Sequence, residues 1–250
     1  MVAVDHHLSL QLYTVRGKLE DDFDGTLARI AKLGYTKVEP FGVTAFADRL
    51  ADALPKHGLS APTTHAGLLR EDSAPIYAAA KRLGIGTVID PHTDPARWQS
   101  ADDIKVIAAG LNQAAAEAAD HGITVGYHNH HFELESKIDG VHALEILVDN
   151  LSDQVILEVD TYWAAVGGAD VPALLKKFGE RVTAIHVKDG DGTLDNKAQV
   201  AVGDGSIAVR EILAAAPNAL RVVELDDFSG EILDAVAGSY AFLTGAGAPA

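Results

Sequence analysis

Ile123-Thr124-Val125-Gly126-Tyr127-His128-Asn129-His130-His131-Phe132-Glu133 begins as a strand and ends in histidines. Side chains on a strand alternate between its faces. Thr124, Gly126, His128 and His130 therefore share one face, and Val125, Tyr127 and Asn129 share the other. The first face runs from small residues to two imidazoles, which is the profile of a pocket wall. Imidazoles are the commonest metal ligands and carry protons near neutral pH. A run of histidines on a solvated strand end would look the same locally, so the other segments must decide.

On either side of this strand, extended and helical patterns alternate. The extended segments are His7–Tyr13, Lys37–Pro40, Leu59–His65, Thr87–Asp90, Val155–Asp160, Thr183–Lys188 and Arg221–Leu225. Helical spacing covers Asp22–Leu33, Thr44–Leu54, Pro75–Leu83, Ile104–Ala119, Gly140–Val148, Val171–Phe178, Ile207–Ala215 and Glu231–Phe242. Glycine or proline punctuates most of the helix ends, as at Gly34, Pro55 and Gly84. Eight strand–helix units at roughly 30-residue spacing predict an α/β fold, a single-domain (β/α)8 TIM barrel. A doubly wound open sheet would carry a glycine-rich loop after its first strand. Here that strand runs into Tyr13-Thr14-Val15-Arg16. The barrel is expected over residues 1–244, with 245–250 as a disordered tail.

Composition narrows the partners. The chain has 250 residues, 48% of them hydrophobic, enough for one large core. There is no cysteine, which excludes disulfides and thiolate metal sites. The net charge of −16 would repel a phosphate backbone, so nucleic acid is not an expected partner. No apolar run has membrane-helix length and no signal-peptide pattern opens the chain, so a cytoplasmic, membrane-free protein is expected. A homo-oligomer is left open.

In such a barrel the active site lies at the C-terminal ends of the strands. Those ends carry Gln11/Tyr13, Glu39, Thr64/His65, Asp90/His92, His128/His130/Glu133, Glu158/Asp160, His186/Lys188 and Glu224/Asp226. Solvent exposure would account for some of them, with Asp226 and Asp227 as examples. It does not account for parity: Ala184, His186 and Lys188 share a face, as do Val222, Glu224 and Asp226. Asp160, His186 and Glu224 look most like ligand donors, and a carboxylate–imidazole set suits a divalent ion of the Mn, Co or Zn type. Lys188 beside them would hold an oxyanion or hydroxyl. Val202-Gly203-Asp204-Gly205-Ser206 could offer backbone N–H groups to an oxygen-rich ligand, or could simply lead into a helix with Ser206 as N-cap.

Several motifs together carry a family resemblance. They are Ser9-Leu10-Gln11-Leu12-Tyr13, Leu33-Gly34-Tyr35 with Val38-Glu39, Gly126-Tyr127-His128-Asn129-His130 with Phe132-Glu133, Val159-Asp160-Thr161-Tyr162-Trp163, Ile185-His186-Val187-Lys188-Asp189, Gly203-Asp204-Gly205 and Val223-Glu224. In their order and spacing the chain resembles the xylose isomerase-like barrels, the sugar phosphate isomerases/epimerases. The resemblance implies one divalent metal ion (Mn, Co, Zn or Mg) and a small sugar or polyol substrate. Asp160, His186 and Glu224 match the family's ligands on strands six to eight. For strand five, where the epimerases place a glutamate, this chain has His128; Glu133 is taken as the carboxylate ligand if the chain folds back. Glu224, His128, His130 and Lys188 are the catalytic candidates. Gln11, Tyr13, Glu39, His65 and Trp163 are the candidates for binding substrate. The implied reaction is isomerisation or epimerisation through an enediolate. Tyr-His-x-His is closer to the inosose dehydratase branch, which makes a dehydratase or lyase the alternative. An apurinic endonuclease or a non-catalytic sugar-binding subunit ranks below both.

Overall fold

A computed structural model of the chain describes residues 7–245. Eight parallel strands, each followed by a helix, form the body. The strands are β1 Leu8–Gln11, β2 Val38–Glu39, β3 Thr63–His65, β4 Thr87–Asp90, β5 Thr124–His128, β6 Val155–Asp160, β7 Val182–Val187 and β8 Leu220–Val223. The crossover helices are α1 Phe23–Leu33, α2 Val43–Lys56, α3 Ser73–Leu83, α4 Ala101–Ala119, α5 Ala143–Asn150, α6 Val171–Phe178, α7 Val209–Ala215 and α8 Ile232–Thr244. Sheet order runs β2-β1-β8-β7-β6-β5-β4-β3. The two end strands meet through bridges Lys37–Ser60 and Phe41–His65, with Val38 N–H donating to Ser60 O at 2.9 Å and His65 N–H to Pro40 O at 2.9 Å. This is the (β/α)8 barrel that the alternating segments predict. Of the tail, Gly245 is the left-handed cap of α8, and residues 246–250 lie outside the described residues, as do residues 1–6. Among the described residues no helix is long and apolar enough to cross a membrane.

Helix boundaries follow local chemistry. Asp22, Asp72, Ser100 and Asp170 each accept a hydrogen bond from a first-turn N–H of α1, α3, α4 and α6. Pro55 does not end α2. It sits in the last turn, and His57 N–H closes the helix on the carbonyls of Ala53 and Leu54. The segment expected to be helical from Gly140 starts with a ribbon instead, Lys137–Ile138 paired with Val141–His142. Asp139 and Gly140 both have positive φ (52° and 83°), the requirement of a tight two-residue hairpin turn.

Strand register decides which residues enter the barrel. His65 pairs with Ile89, Ile89 with Gly126, Gly126 with Ile156, Glu158 with Ala184, Asp160 with His186, His186 with Val222, Val222 with Ser9, and Gln11 with Glu39. Partners in register share a face, so this set points inward. The alternate residues, including Leu10, Val38, Val88, Val125, Tyr127, Leu157, Val159, Ile185 and Val223, belong to the apolar core shared with the helices. Thr124, Gly126 and His128 thus line the barrel, as alternation along β5 predicts.

Gly126 keeps β5 close to its neighbours. A Cβ there would lie 2.6 Å from Ile156 Cδ1 and 3.1 Å from Ile89 Cγ1. Gly126→Val should therefore lower stability by about 1–3 kcal/mol, the usual cost of overpacking. Gly86→Ala is the control, since its Cβ would meet nothing within 4 Å. Denaturant midpoints of the two variants check this; equal midpoints would contradict the inward packing of Gly126.

Candidate metal centre

Four donors converge at the upper end of the barrel. One atom each from His128, Asp160, His186 and Glu224 lies within 4.8 Å of the others, and all four side chains are buried. Asp160 Oδ1 accepts from Trp163 N–H at 2.9 Å, which makes Asp160 the N-cap of the short helix Thr161–Val166 and holds its carboxylate still. Its Oδ2 faces Lys188 Nζ at 2.9 Å and His128 Nε2 at 3.8 Å. Lys188 also reaches Glu224 at 2.8 Å and Asp226 at 2.7 Å, and its ammonium lies 5.5 Å from the centre of the Trp163 ring.

A deeper layer holds the histidines from below. Glu158 Oε1 lies 2.6 Å from His65 Nε2, 3.1 Å from His128 Nδ1 and 3.0 Å from His186 Nε2. Glu39 Oε1 lies 2.8 Å from His186 Nε2 and 3.2 Å from His65 Nε2, and accepts from Gln11 Nε2 at 2.8 Å. His186 Nδ1 meets Glu224 Oε2 at 2.7 Å. With its Nδ1–H on Glu158, His128 turns an Nε2 lone pair toward the Asp160 carboxylate. That lone pair and the carboxylate can serve one metal ion together, beside the Lys188 ammonium that already pairs with Asp160.

Charge states follow from burial and neighbours. Burial, then the positive neighbour His186, pushes His128 down to about 3, so its imidazole is neutral and able to ligate. Burial opposes charge on His186 and Lys188 as well, yet the carboxylates around each hold both well above their ordinary values. Glu224 lies well below the usual carboxylate range, because Lys188 and His186 outweigh its burial. Burial raises Asp160 to about 6 against the pull of Lys188. The donor set of two imidazoles and two carboxylates, without thiolate, fits a Mn, Co or Zn ion, which would displace the proton that His186 holds among its carboxylates.

The remaining candidates fall into place as follows. Glu133 is not with the converging donors. Its Oε1 accepts from Tyr127 O–H at 2.8 Å and its Oε2 from His130 N–H at 2.8 Å, so it braces the loop after β5. His128, not Glu133, occupies the strand-five position of the set. The His130 ring stacks on Phe132 at 5.4 Å and lies 5.3 Å from His128, and its buried Nδ1 has no hydrogen-bond partner. His131 sits apart, half-buried against Trp163. Gln11, Glu39 and His65 belong to the deeper layer. Tyr13 does not reach it: the ring is 40% exposed and lines a separate cleft of about 320 Å³ with Arg16, Phe23 and Phe41. The glycine loop is no ligand cradle, because the N–H groups of Gly203, Gly205 and Ile207 all donate to the Asp189 carboxylate. Ser206 is not a helix N-cap either; Ala208 precedes α7. Asp226 is not merely a solvated strand end, since it pairs with Lys188 and accepts from Gln199 Nε2 at 2.8 Å. The sequence places Glu158 at a strand end but gives it no role; its parity with Asp160 on β6 is the signal that it faces the same interior.

Comparison with known proteins agrees with this architecture. A family model described as xylose isomerase-like TIM barrel matches residues 27–225. An inosose dehydratase of Clostridium perfringens is 31% identical over 88 residues, covering 35% of this chain and 29% of that protein, so the match spans under a third of the relative's length. A sugar phosphate isomerase/epimerase from Parabacteroides distasonis superposes with TM-score 0.82 at 23% identity, over 98% of this chain and 96% of the other. IolI protein, crystallised with a zinc atom, superposes with TM-score 0.73 at 18% identity over 96% of each chain. At these identities the superpositions establish the fold.

Glu133 generates a pH prediction. Burial pushes its carboxyl up to about 8, only partly offset by the hydrogen bonds from Tyr127 and His130. A folded-state pKa above the unfolded value means that folding takes up a proton. The stabilisation is complete below about pH 4.5 and is lost as pH rises through about 8. Glu133→Gln removes this dependence. Thermal melts of the metal-free protein at about pH 5 and about pH 9 should show the variant gaining on wild type at the higher pH. A constant offset at both would contradict the assignment.

Proposed function

This chain belongs to the xylose isomerase-like TIM barrel family, and we propose that it is a divalent-metal-dependent isomerase or epimerase of a small sugar or polyol. The observation that carries this reading is the convergence of His128, Asp160, His186 and Glu224 beside the buried ammonium of Lys188. A divalent ion held there would polarise a carbonyl and a neighbouring hydroxyl and so acidify the C–H between them. His130 would take that proton. Its Nδ1 has no partner, and burial, with His128 and Lys188 nearby, keeps the ring neutral. Lys188 stays charged among three carboxylates and would stabilise the enediolate oxygen. Trp163 closes one wall, and its buried Nε1–H, without a partner, is free to meet a substrate hydroxyl.

A dehydratase is the second reading, and two observations favour it. The curated relative matched is an inosose dehydratase. The strand-five donor is an imidazole, so the pair of opposed glutamates expected of the family's epimerases is missing. Both readings share the first proton abstraction and part at the next step.

Incubating the metal-loaded protein with keto-sugars and keto-inositols in deuterated water separates them. Isomerisation or epimerisation should place solvent deuterium in a product of unchanged composition; dehydration should give a product lighter by one water. Absence of exchange across the panel would sink both. On the substrate so found, His130→Ala should cost about 10²–10⁴ in turnover, the usual worth of one positioned base. His131→Ala should cost little. The reverse order would remove His130 from the chemistry.

A further inference from the structure

Four aromatic rings gather at the rim of the barrel without belonging to the metal centre. Tyr13 follows β1 and Phe41 follows β2, while Phe23 opens α1 and Phe46 lies on α2. Tyr13 meets Phe41 edge-on at 5.4 Å, Phe41 meets Phe46 at 6.2 Å, and Phe46 stacks on Phe23 at 6.4 Å. Together they wall the cleft of about 320 Å³, a volume within the range of small-molecule sites. A packed interior leaves few voids larger than a water molecule. These rings stand around an opening instead of closing on one another.

Two cations stand over the rings. The Arg16 guanidinium lies 4.1 Å from the centre of the Tyr13 ring, and that of Arg49 lies 4.1 Å from the centre of the Phe23 ring. Arg16 is fixed there by N–H groups that donate to the carbonyls of Tyr13 and Asp226, both at 2.9 Å. Among the described residues neither guanidinium is in an ion pair with a carboxylate. Glu20, which is exposed, is the one acid along the cleft. Two arginines against one glutamate leave the lining net positive, in a chain of net charge −16. Of the acids on the adjoining surface, Asp24 pairs with Lys56 and His57, and Asp22 caps α1.

We propose that this cleft binds a small molecule made of a flat apolar ring system that bears a carboxylate. The ring system would lie among Tyr13, Phe41, Phe46 and Phe23, where offset and edge-to-face contacts are favourable. The carboxylate would meet Arg49, whose planar fork matches two oxygens and which makes no hydrogen bond among the described residues. A cationic ring would instead face two like charges. The cleft is distinct from the metal centre, because none of the four converging donors lines it. Its occupation therefore does not depend on the metal or on the reaction proposed above.

Calorimetric titration of the full chain with 2-naphthoate tests this without any substrate. Wild type should bind one naphthoate per chain, with the same Kd in chelator-stripped and Mn²⁺-loaded protein. The cationic counterpart, 2-naphthylmethylamine, should bind far more weakly. Arg49→Met keeps an apolar stem and removes the charge, and should weaken naphthoate about two- to fivefold, the range of one solvent-facing ion pair. Phe46→Ala, which removes a wall, should weaken it further. Thermal melts establish that each variant folds, and Arg49→Met, at an exposed position of α2, carries the test if Phe46→Ala does not. Arg210→Met is the control: Arg210 stands over the Phe242 ring at 4.7 Å away from this cleft, and its loss should leave the Kd unchanged. No binding up to the solubility of naphthoate would overturn the proposal. Binding seen only with Mn²⁺ would put the carboxylate on the metal and overturn the cleft, while leaving the proposed function intact. Equal affinity in wild type, Arg49→Met and Phe46→Ala would place the ligand elsewhere and overturn it too. So would an amine that binds as tightly as the carboxylate.

Discussion

His186 is held between carboxylates on both of its nitrogens, and the arrangement of the barrel interior follows from that clamp. Its Nδ1 lies 2.7 Å from Glu224, and its Nε2 lies 2.8 Å from Glu39 and 3.0 Å from Glu158. An imidazole so fixed cannot rotate without breaking a charged contact in a low-dielectric interior. His128 stacks edge-on against it with ring centres 4.5 Å apart, which ties β5 to β7 across β6. The candidate ligands are thus positioned before any ion arrives. The same preorganisation concentrates like charge, and buried ionic networks seldom stabilise a fold compared with apolar packing. The apolar layer between sheet and helices has to offset that, and its residues occupy the outward face of every strand.

Small residues below the imidazoles make room for this layer. Ser9, Thr63, Gly126 and Ala184 all point into the barrel on strands that carry a donor further up. At Gly126 even one added methyl would meet Ile156 and Ile89. Barrel interiors are filled in layers by alternate strands. Here the lower layer is small, the middle layer holds Glu39, His65 and Glu158, and the upper layer holds Asp160, Glu224 and Lys188. Vertical order along each strand therefore sets the chemistry, with period two separating the layers.

Period two is also why much of the site was legible in the sequence. Alternation along β5, β7 and β8 put His128, His186, Lys188 and Glu224 on the inward face before any pairing was known. What alternation cannot show is which strands stand opposite. Glu158 reads as one more polar residue near a strand tip until β3 and β7 bring His65 and His186 to within 2.6 and 3.0 Å of it. Glu133 failed for a different reason. Its direction depends on the helix Phe132–Glu135, which is too short to carry a periodic pattern, and on a hydrogen bond from Tyr127 on the opposite face of β5. Asp226 follows the end of β8 and looks solvated by sequence, but Lys188 on the neighbouring strand reaches across to it. The Asp139-Gly140 turn was readable from its residue types alone, and was obscured by the apolar spacing of the helix that follows.

The arrangement of proton carriers bears on which reaction the interior can support. Inversion at a carbon needs one group to remove a proton from one side and a second group to return a proton from the other. In the proposed site the candidates are His130, beyond β5, and Glu224, beyond β8, three strands away around the barrel. Both are driven toward the deprotonated form: His130 by burial and by the positive groups near it, Glu224 by Lys188 and His186 against its burial. A low pKa leaves each group unprotonated at rest and also makes its protonated form a strong acid, so a proton taken up is readily given back. Lys188 is the ammonium at hand, and three carboxylates hold its protons tightly. In the proposed site a single carrier that has taken the proton from carbon could return it to the adjacent carbon or pass it to a hydroxyl leaving as water, and neither route needs a second, opposed base.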